Sequence, residues 1–493
     1  MNQQRSWPLL AIGLAALMVF YVNIGPTPGG DFWLQAKIGD LIVANRAIPE
    51  TMLFPFTEMS TEPFNAHEWL ASVLFHVFLS VFHEKNLPLV LGFLGLAFFA
   101  GVCALVHERG VRKTSFVLLL GLLALLSERE RHTMRPELVS LVLMVVYWYF
   151  LEKFRVSARA LYGLTTVLLC VLWVNCHGSF VVAPLLATVY AAGIYLDQVR
   201  KSSWRNWHPG REVQQFGVLT LALLFACLIN PFGMRLLSFV LDFGLHNDFG
   251  ELVGEWTPTW DRRLWHYQGF WVFVVLWVAT LGSLFLYRRK ISAVEVLVFL
   301  GFTVLELRAI RFTVYSGLVL SYVLAARVAE VDLHPESDVR FCRLLSAISP
   351  LIMAYSLAFG GGLGSPRYAA HIPTKLTDAM VGVLADPRRQ GNVLNMNIYG
   401  SELIYRTWPR LRPSVDDRID TYGLEYLKFQ IALLSNDALL DEFVTRYDVR
   451  YILISSPVFF STFQRTANWK GGRWASVWVD EKAALLIRSD LKY

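Results

Sequence analysis

Of the chain's 493 residues, 55% are hydrophobic and only 17% are charged, against about a quarter charged in soluble globular proteins. The deficit excludes an ordinary soluble enzyme and fits a chain of many apolar spans, because charge inside hydrocarbon is costly. The net charge of +6 is dispersed among short loops, so it reports membrane topology and not nucleic-acid binding.

The first apolar run, Trp7–Ile24, follows Arg5 and shows no small-residue cleavage site before Gly25-Pro26, so it is expected to be retained as a first span. The first loop, 26–87, contains the apolar run Trp69–Phe82, which ends in His83-Glu84-Lys85. That run falls short of the ~20 residues a bilayer requires and reads as an interfacial helix, 69–82. Further spans are expected at 88–106, 114–127, 137–151, 159–175, 179–196, 214–229, 269–287, 291–306, 312–328 and 341–359. The fold class is thus a polytopic α-helical membrane protein of about eleven transmembrane helices. With Arg5 in the cytoplasm, the basic stretches His107–Lys113, Lys153–Arg159, Arg200–Arg211, Arg288-Arg289-Lys290 and Arg327–Arg343 all fall inside. Counting 69–82 as a span would put Arg200–Arg211 and Arg288–Lys290 outside.

Residues 1–360 therefore form the membrane domain, and 361–493 an extracytoplasmic α/β domain beyond a joint of Gly360-Gly361-Gly362 and Gly364. In that tail Val393–Met396, Val449–Ser455, Ala475–Val479 and Ala484–Ile487 read as strands, while Ser401–Thr407 and Leu424–Tyr447 read as helices. The five cysteines lie in or beside apolar runs and offer neither a disulfide framework nor zinc spacing.

This topology puts the unusual polar residues on the extracytoplasmic side, where they are expected to gather in one pocket. Asp31, after Gly29-Gly30 and before Phe32-Trp33, is either a general base or cation anchor near the headgroups, or a helix N-cap. His67-Glu68, before Trp69, could bind a phosphate-linked head group or open the interfacial helix with Glu68 near its dipole. The loop Glu128–Glu137 holds Arg129, Arg131, His132 and Arg135 before Pro136-Glu137. Such a cationic cluster suits a lipid phosphate, because arginine grips phosphate oxygens bidentately; internal pairing with Glu128 and Glu130 is the alternative. Asn175-Cys176-His177-Gly178 offers a histidine for a phosphate or sugar hydroxyl, or a helix-ending turn. Glu255-Trp256 and the pair Arg308/Arg311 complete the set; the two arginines would share one face if helical, in a site or in structural ion pairs with Glu306 nearby.

The order Asp31-Phe32-Trp33, Ile48-Pro49, Phe54-Pro55-Phe56-Thr57 and His67-Glu68-Trp69-Leu70 resembles the first loop of bacterial membrane proteins of the GT-C group, the polyprenyl-phosphate-dependent glycosyltransferases and their relatives. Arg135-Pro136-Glu137, Trp173–Phe180, Glu255-Trp256 and Arg311-Phe312 continue the resemblance, and Val415-Asp416-Asp417-Arg418-Ile419-Asp420-Thr421-Tyr422-Gly423 carries it into the tail. The resemblance implies a GT-C-like fold, a polyprenyl-phosphate sugar donor reached through the bilayer, and Asp31 as catalytic base or acceptor-orienting group. The family's tandem acidic pair is replaced here by glycines before Asp31. By inference from charge, Arg135, His177, Arg308 and Arg311 would bind phosphate. A divalent metal is compatible with such a site but not implied, and no other cofactor is. The expected activity is sugar transfer to an acceptor at the extracytoplasmic face of the bacterial inner membrane. The alternatives are a non-catalytic lipid- or glycan-binding assembly protein and a polysaccharide transporter component.

Overall fold

The computed structural model describes residues 2–24, 30–201, 208–246, 254–266, 268–359, 376–456 and 458–491. The expected glycine joint at 360–364 and the residues 25–29 before Asp31 lie outside these. The helices in chain order are α1 (Asn2–Asn23), α2 (Gly30–Asn45), α3 (Trp69–Glu108), α4 (Thr114–Glu128), α5 (Pro136–Ser157), α6 (Ala160–Val174), α7 (Val182–Lys201), α8 (Arg211–Ala226), α9 (Met234–His246), α10 (Gln268–Leu286), α11 (Ala293–Arg308), α12 (Ser316–Val328) and α13 (Pro335–Phe359). The tail adds α14 (Asp378–Ala385), α15 (Asn397–Thr407), α16 (Ile419–Tyr422), α17 (Leu424–Leu433) and α18 (Asp437–Tyr447), with strands β1 (Gly391–Asn395), β2 (Leu411–Pro413), β3 (Val449–Ser455), β4 (Trp474–Val479) and β5 (Ala483–Arg488).

The chain divides into two compact units. One comprises 1–25, 86–133 and 137–370; the other comprises 26–85, 134–136 and 371–493. The first loop is therefore packed with the tail, and α3 passes between the units just after a break at His83, whose φ is +57°.

The first unit is a helical bundle whose surface is inverted relative to a soluble protein. On α6, Leu161, Leu164, Leu168 and Leu172 form an exposed stripe at helical spacing, while Thr166, Cys170 and Trp173 face inward. A continuous apolar face is stable only against lipid. Among the described residues, Ser6–Asn23, Trp69–Glu108, Gly178–Lys201 and Gly269–Leu286 are long and apolar enough to cross a membrane, and Thr114–Glu128 and Ala160–Val174 are shorter apolar helices. The chain is a membrane protein. With little hydrophobic drive between helices in lipid, small residues set close approach. A Cβ on Gly317 of α12 would lie 2.5 Å from the Leu123 carbonyl oxygen of α4, and Ser321 of α12 donates to the Leu120 carbonyl of α4 at 2.7 Å.

Inter-helical polar contacts in this unit gather at two opposite ends. At one end Arg109 and Arg327 both pair with Glu295, and Arg155 pairs with Glu152 at 2.8 Å. At the other lie residues 128–133, 137, 175–179, 254–259 and 306–316, tied by contacts such as Ile310 N to the Thr257 carbonyl at 3.0 Å. The loops expected on one side of the membrane thus share an end of the bundle.

The second unit is built on a five-stranded sheet of order β2-β1-β3-β5-β4, parallel at β2-β1-β3 and antiparallel at β3-β5-β4. Alternate residues serve two cores. Leu394, Ile452, Ile454 and Leu486 pack with Leu433, Leu440 and Phe443 of α17 and α18. Val393, Tyr451, Leu453 and Leu485 pack with Met380, Leu384 and Leu403 of α14 and α15. The period-2 pattern makes this a three-layer α/β/α module. The stretch Leu424–Tyr447, expected as helical, holds two helices, because Asn436 caps a new start by accepting from Leu439 N. The strand β2, three residues ending in Pro413, was not expected, because proline and shortness hide an edge strand.

Candidate functional site

The residues singled out from sequence divide between the two units: Asp31, His67, Glu68 and Arg135 in one, and Glu137, Asn175, His177, Glu255, Trp256, Arg308 and Arg311 in the other.

In the second unit, α2 begins at Gly30 and carries Asp31 in its first turn. Phe32 and Trp33 are fully buried. Phe32 lies 5.4 Å from the Phe75 ring, and Trp33 lies 4.7 Å from Tyr405 with the Arg406 guanidinium 4.3 Å over its ring. The aromatics dock α2 and leave Asp31 at its tip, with 38% of its side chain exposed. There Arg135 Nε lies 3.2 Å from Asp31 Oδ2, so the cation expected to bind phosphate sits beside the expected base. One helical turn on, Gln35 donates to Glu68 Oε2 at 2.5 Å and accepts from Ser72 Oγ. His67 Nε2 is 3.8 Å from Glu68 Oε1, and its Nδ1 lies 3.1 Å from the Asn65 carbonyl.

Three residues of the tail motif Val415–Gly423, which the sequence offered as part of the resemblance and not as site residues, pack against this region of the unit. Asp420 lies within the field of His67 and Arg418; burial raises its carboxyl above the ordinary range, while those two neighbours pull the other way. Asp416 and Arg418 form a buried bidentate pair, Nε to Oδ1 at 2.9 Å and Nη2 to Oδ2 at 2.7 Å. Arg418 also donates to the Met52 carbonyl at 2.7 Å and stacks over Phe54 and Phe64 at 5.2 and 4.7 Å. The tail motif clamps the first loop that carries Asp31 and His67. In the sequence the segment Val415–Gly423 signalled it only through the family resemblance.

In the first unit, Arg131 from the loop after α4 donates to Glu137 Oε2 at 2.5 and 3.0 Å and to Glu255 Oε2 at 3.1 Å. Arg311 reaches Glu255 Oε1 at 3.1 Å and lies 4.3 Å over the Trp256 ring; its Nη2 is 3.9 Å from Glu137. Two cations and two carboxylates close a neutral ring, in which Arg131 of the cationic loop pairs with Glu137 and Glu255. Arg308 and Arg311 do not share a helical face: α11 ends at Arg308, Ala309 is extended at φ −154° and ψ 141°, and Arg311 sits in a separate 3-10 turn. Arg308 is half-buried and has no ion pair among the described residues. His177 caps the turn Gly178–Val181, its Nδ1 lying 3.1 Å from Ser179 N and 2.8 Å from Ser179 Oγ. Asn175 donates to the Val171 and Ile229 carbonyls at 2.8 and 3.0 Å. His132 is locked between Glu128 and the Leu91 carbonyl. Among the described residues no three His, Cys, Asp or Glu side chains are grouped to hold a metal ion.

Neither a scan of protein-family models nor a search of curated proteins finds a match. Solved structures do match. An Archaeoglobus fulgidus oligosaccharyltransferase tethered to an acceptor peptide superposes with TM-score 0.57 at 14% identity, covering 91% of this chain and 69% of that one. The archaeal oligosaccharyltransferase AglB from the same organism, in complex with an inhibitory peptide and a dolichol-phosphate, gives 0.59 at 13%, covering 92% and 69%. ArnT from Cupriavidus metallidurans, bound to undecaprenyl phosphate, gives 0.53 at 14% and covers 98% of both chains. The chain has the GT-C fold. The GT-C likeness extends over both the helical bundle and the α/β module, because a match to 98% of the chain leaves neither unit out. The GT-C resemblance seen in the motifs from Asp31 to Gly423 thus holds at the level of fold.

Proposed function

We propose that this protein is a membrane glycosyltransferase that moves a sugar from a polyprenyl-phosphate donor to an acceptor at the extracytoplasmic face of the bacterial inner membrane, with the N-terminus cytoplasmic and the α/β module outside. The observation that carries the reading is end-to-end likeness to ArnT, whose structure holds undecaprenyl phosphate. Asp31, exposed at the tip of α2 and held by Arg135, is the group we assign as base. The acceptor hydroxyl oxygen forms a bond to the anomeric carbon, its proton passes to the Asp31 carboxylate, and the bond from that carbon to phosphate oxygen breaks with the electron pair leaving on the lipid phosphate. Positive charge aimed at the departing phosphate is the largest expected contribution; Arg135, 3.2 Å from Asp31 in the same unit, is assigned to that group. His67 and Glu68, in that unit too, are assigned to the acceptor. Arg135 supplies the charge in this scheme, and no metal step is invoked.

The test uses the full-length protein in proteoliposomes with radiolabelled undecaprenyl-phosphate hexoses and a cell-envelope glycan acceptor. Asp31→Asn is expected to lower transfer by about 10²–10⁴-fold, the range for loss of a general base, with thermal stability unchanged. Lipid binding without transfer in the wild type, or full transfer by Asp31→Asn, would remove the catalytic reading in favour of an assembly protein.

A further inference from the structure

A concavity lies in the α/β unit, between α2, the first part of α3 and α15. It has a volume of about 410 Å³ and is lined by Lys37, Asp40, His76, Leu79, Ser80, Tyr405 and Arg406. Its volume falls in the lower part of the ~300–1000 Å³ range of small-molecule sites. None of the residues assigned above to the transfer step lines it.

The charges in this cleft are already balanced. Lys37 Nζ lies 2.8 Å from Asp40 Oδ2, and Arg406 makes a bidentate pair with Glu84 at 2.9 and 2.7 Å. A phosphate or carboxylate would have to displace Asp40 or Glu84 and leave it without its cation, so an anion is disfavoured. A neutral polyol meets no such penalty. Adjacent hydroxyls can accept from Lys37 and donate to Asp40 at once, because an ammonium offers only donors and a carboxylate only acceptors. Ser80 adds a hydroxyl at the rim, where it is exposed. Leu79 and Tyr405 supply an apolar wall for the C–H face of a sugar ring. Tyr405 is braced from behind by Trp33 at 4.7 Å.

We propose that this cleft binds one or two neutral sugar units, and that in the transferase reading, on which this use rests, they belong to the acceptor glycan. Saturation-transfer NMR on the full-length protein in nanodiscs tests it with neutral disaccharides built from glucose, galactose, mannose and N-acetylglucosamine, with inorganic phosphate as the competing probe. At least one disaccharide should receive saturation on its C–H protons. Ser80→Trp, which fills the cleft from an exposed position, and Asp40→Asn, which removes an acceptor, should each weaken that binding at least tenfold. The proposal is overturned if no disaccharide binds, if Ser80→Trp binds as the wild type does, or if phosphate displaces the sugar. Binding is read without turnover, so the two readings fail separately. A wild type that binds sugar in the cleft but transfers none keeps the site and loses the transferase. Transfer with an unchanged acceptor KM in Ser80→Trp keeps the transferase and loses the site.

Discussion

Replacing Arg418 by methionine tests the claim that the tail motif holds the first loop in place. Asp416 is fully buried and receives the Arg418 Nε, Nη2 and backbone N–H groups and the Tyr422 hydroxyl. Removing the guanidinium leaves that carboxylate buried without its cation. Breaking a buried pair from one side costs about 3–5 kcal/mol, and the lost bond to the Met52 carbonyl adds about 1 kcal/mol. At about 1.4 kcal/mol per decade, local opening of the α/β unit should rise by roughly three powers of ten. Hydrogen–deuterium exchange of the full-length protein in nanodiscs reads this directly in peptides spanning Met52–Phe64. The double variant Asp416→Leu, Arg418→Met should recover much of the protection, because two apolar groups replace the pair without stranding a charge. Wild-type exchange in Arg418→Met, or a double variant no better than the single one, would refute the reasoning.

Further outcomes follow from the bundle. Gly317→Ala forces α12 away from the Leu123 carbonyl, which a Cβ would approach to 2.5 Å. Overpacking of this kind costs about 1–3 kcal/mol, and a variant that melts like the wild type in detergent would contradict it. His132 gives a pH dependence with a definite sign. Burial alone would lower its pKa, but the charge of Glu128 and its hydrogen bond hold it above the ordinary histidine value of 6.5. The stabilisation is therefore full below that ordinary value and is lost as pH rises through the raised one. The wild-type melting temperature should fall more between neutral and alkaline pH than that of His132→Gln, and equal slopes would show that the pair contributes nothing.

Membrane class and the α/β tail were legible because hydropathy and period-2 alternation are local properties of the chain. The Asp31-Phe32-Trp33 motif was also legible, and so was the choice it left between base and cap. Tertiary structure decided which charges meet. Arg135 and Arg131, four residues apart in one cationic loop, go to different partners: Arg135 to Asp31, Arg131 to Glu137 and Glu255. Loop charge counts could not separate them, because Asp31 and Glu255, the carboxylates that draw the two arginines apart, each lie more than a hundred positions away in the chain. For the same reason the sequence could list Arg308 with Arg311 but not foresee that Ala309 turns the chain between them. Nor could it show that Arg418 reaches the Met52 carbonyl. Local pattern determined what each segment is; long-range packing determined which charges were neutralised and which remained available for chemistry.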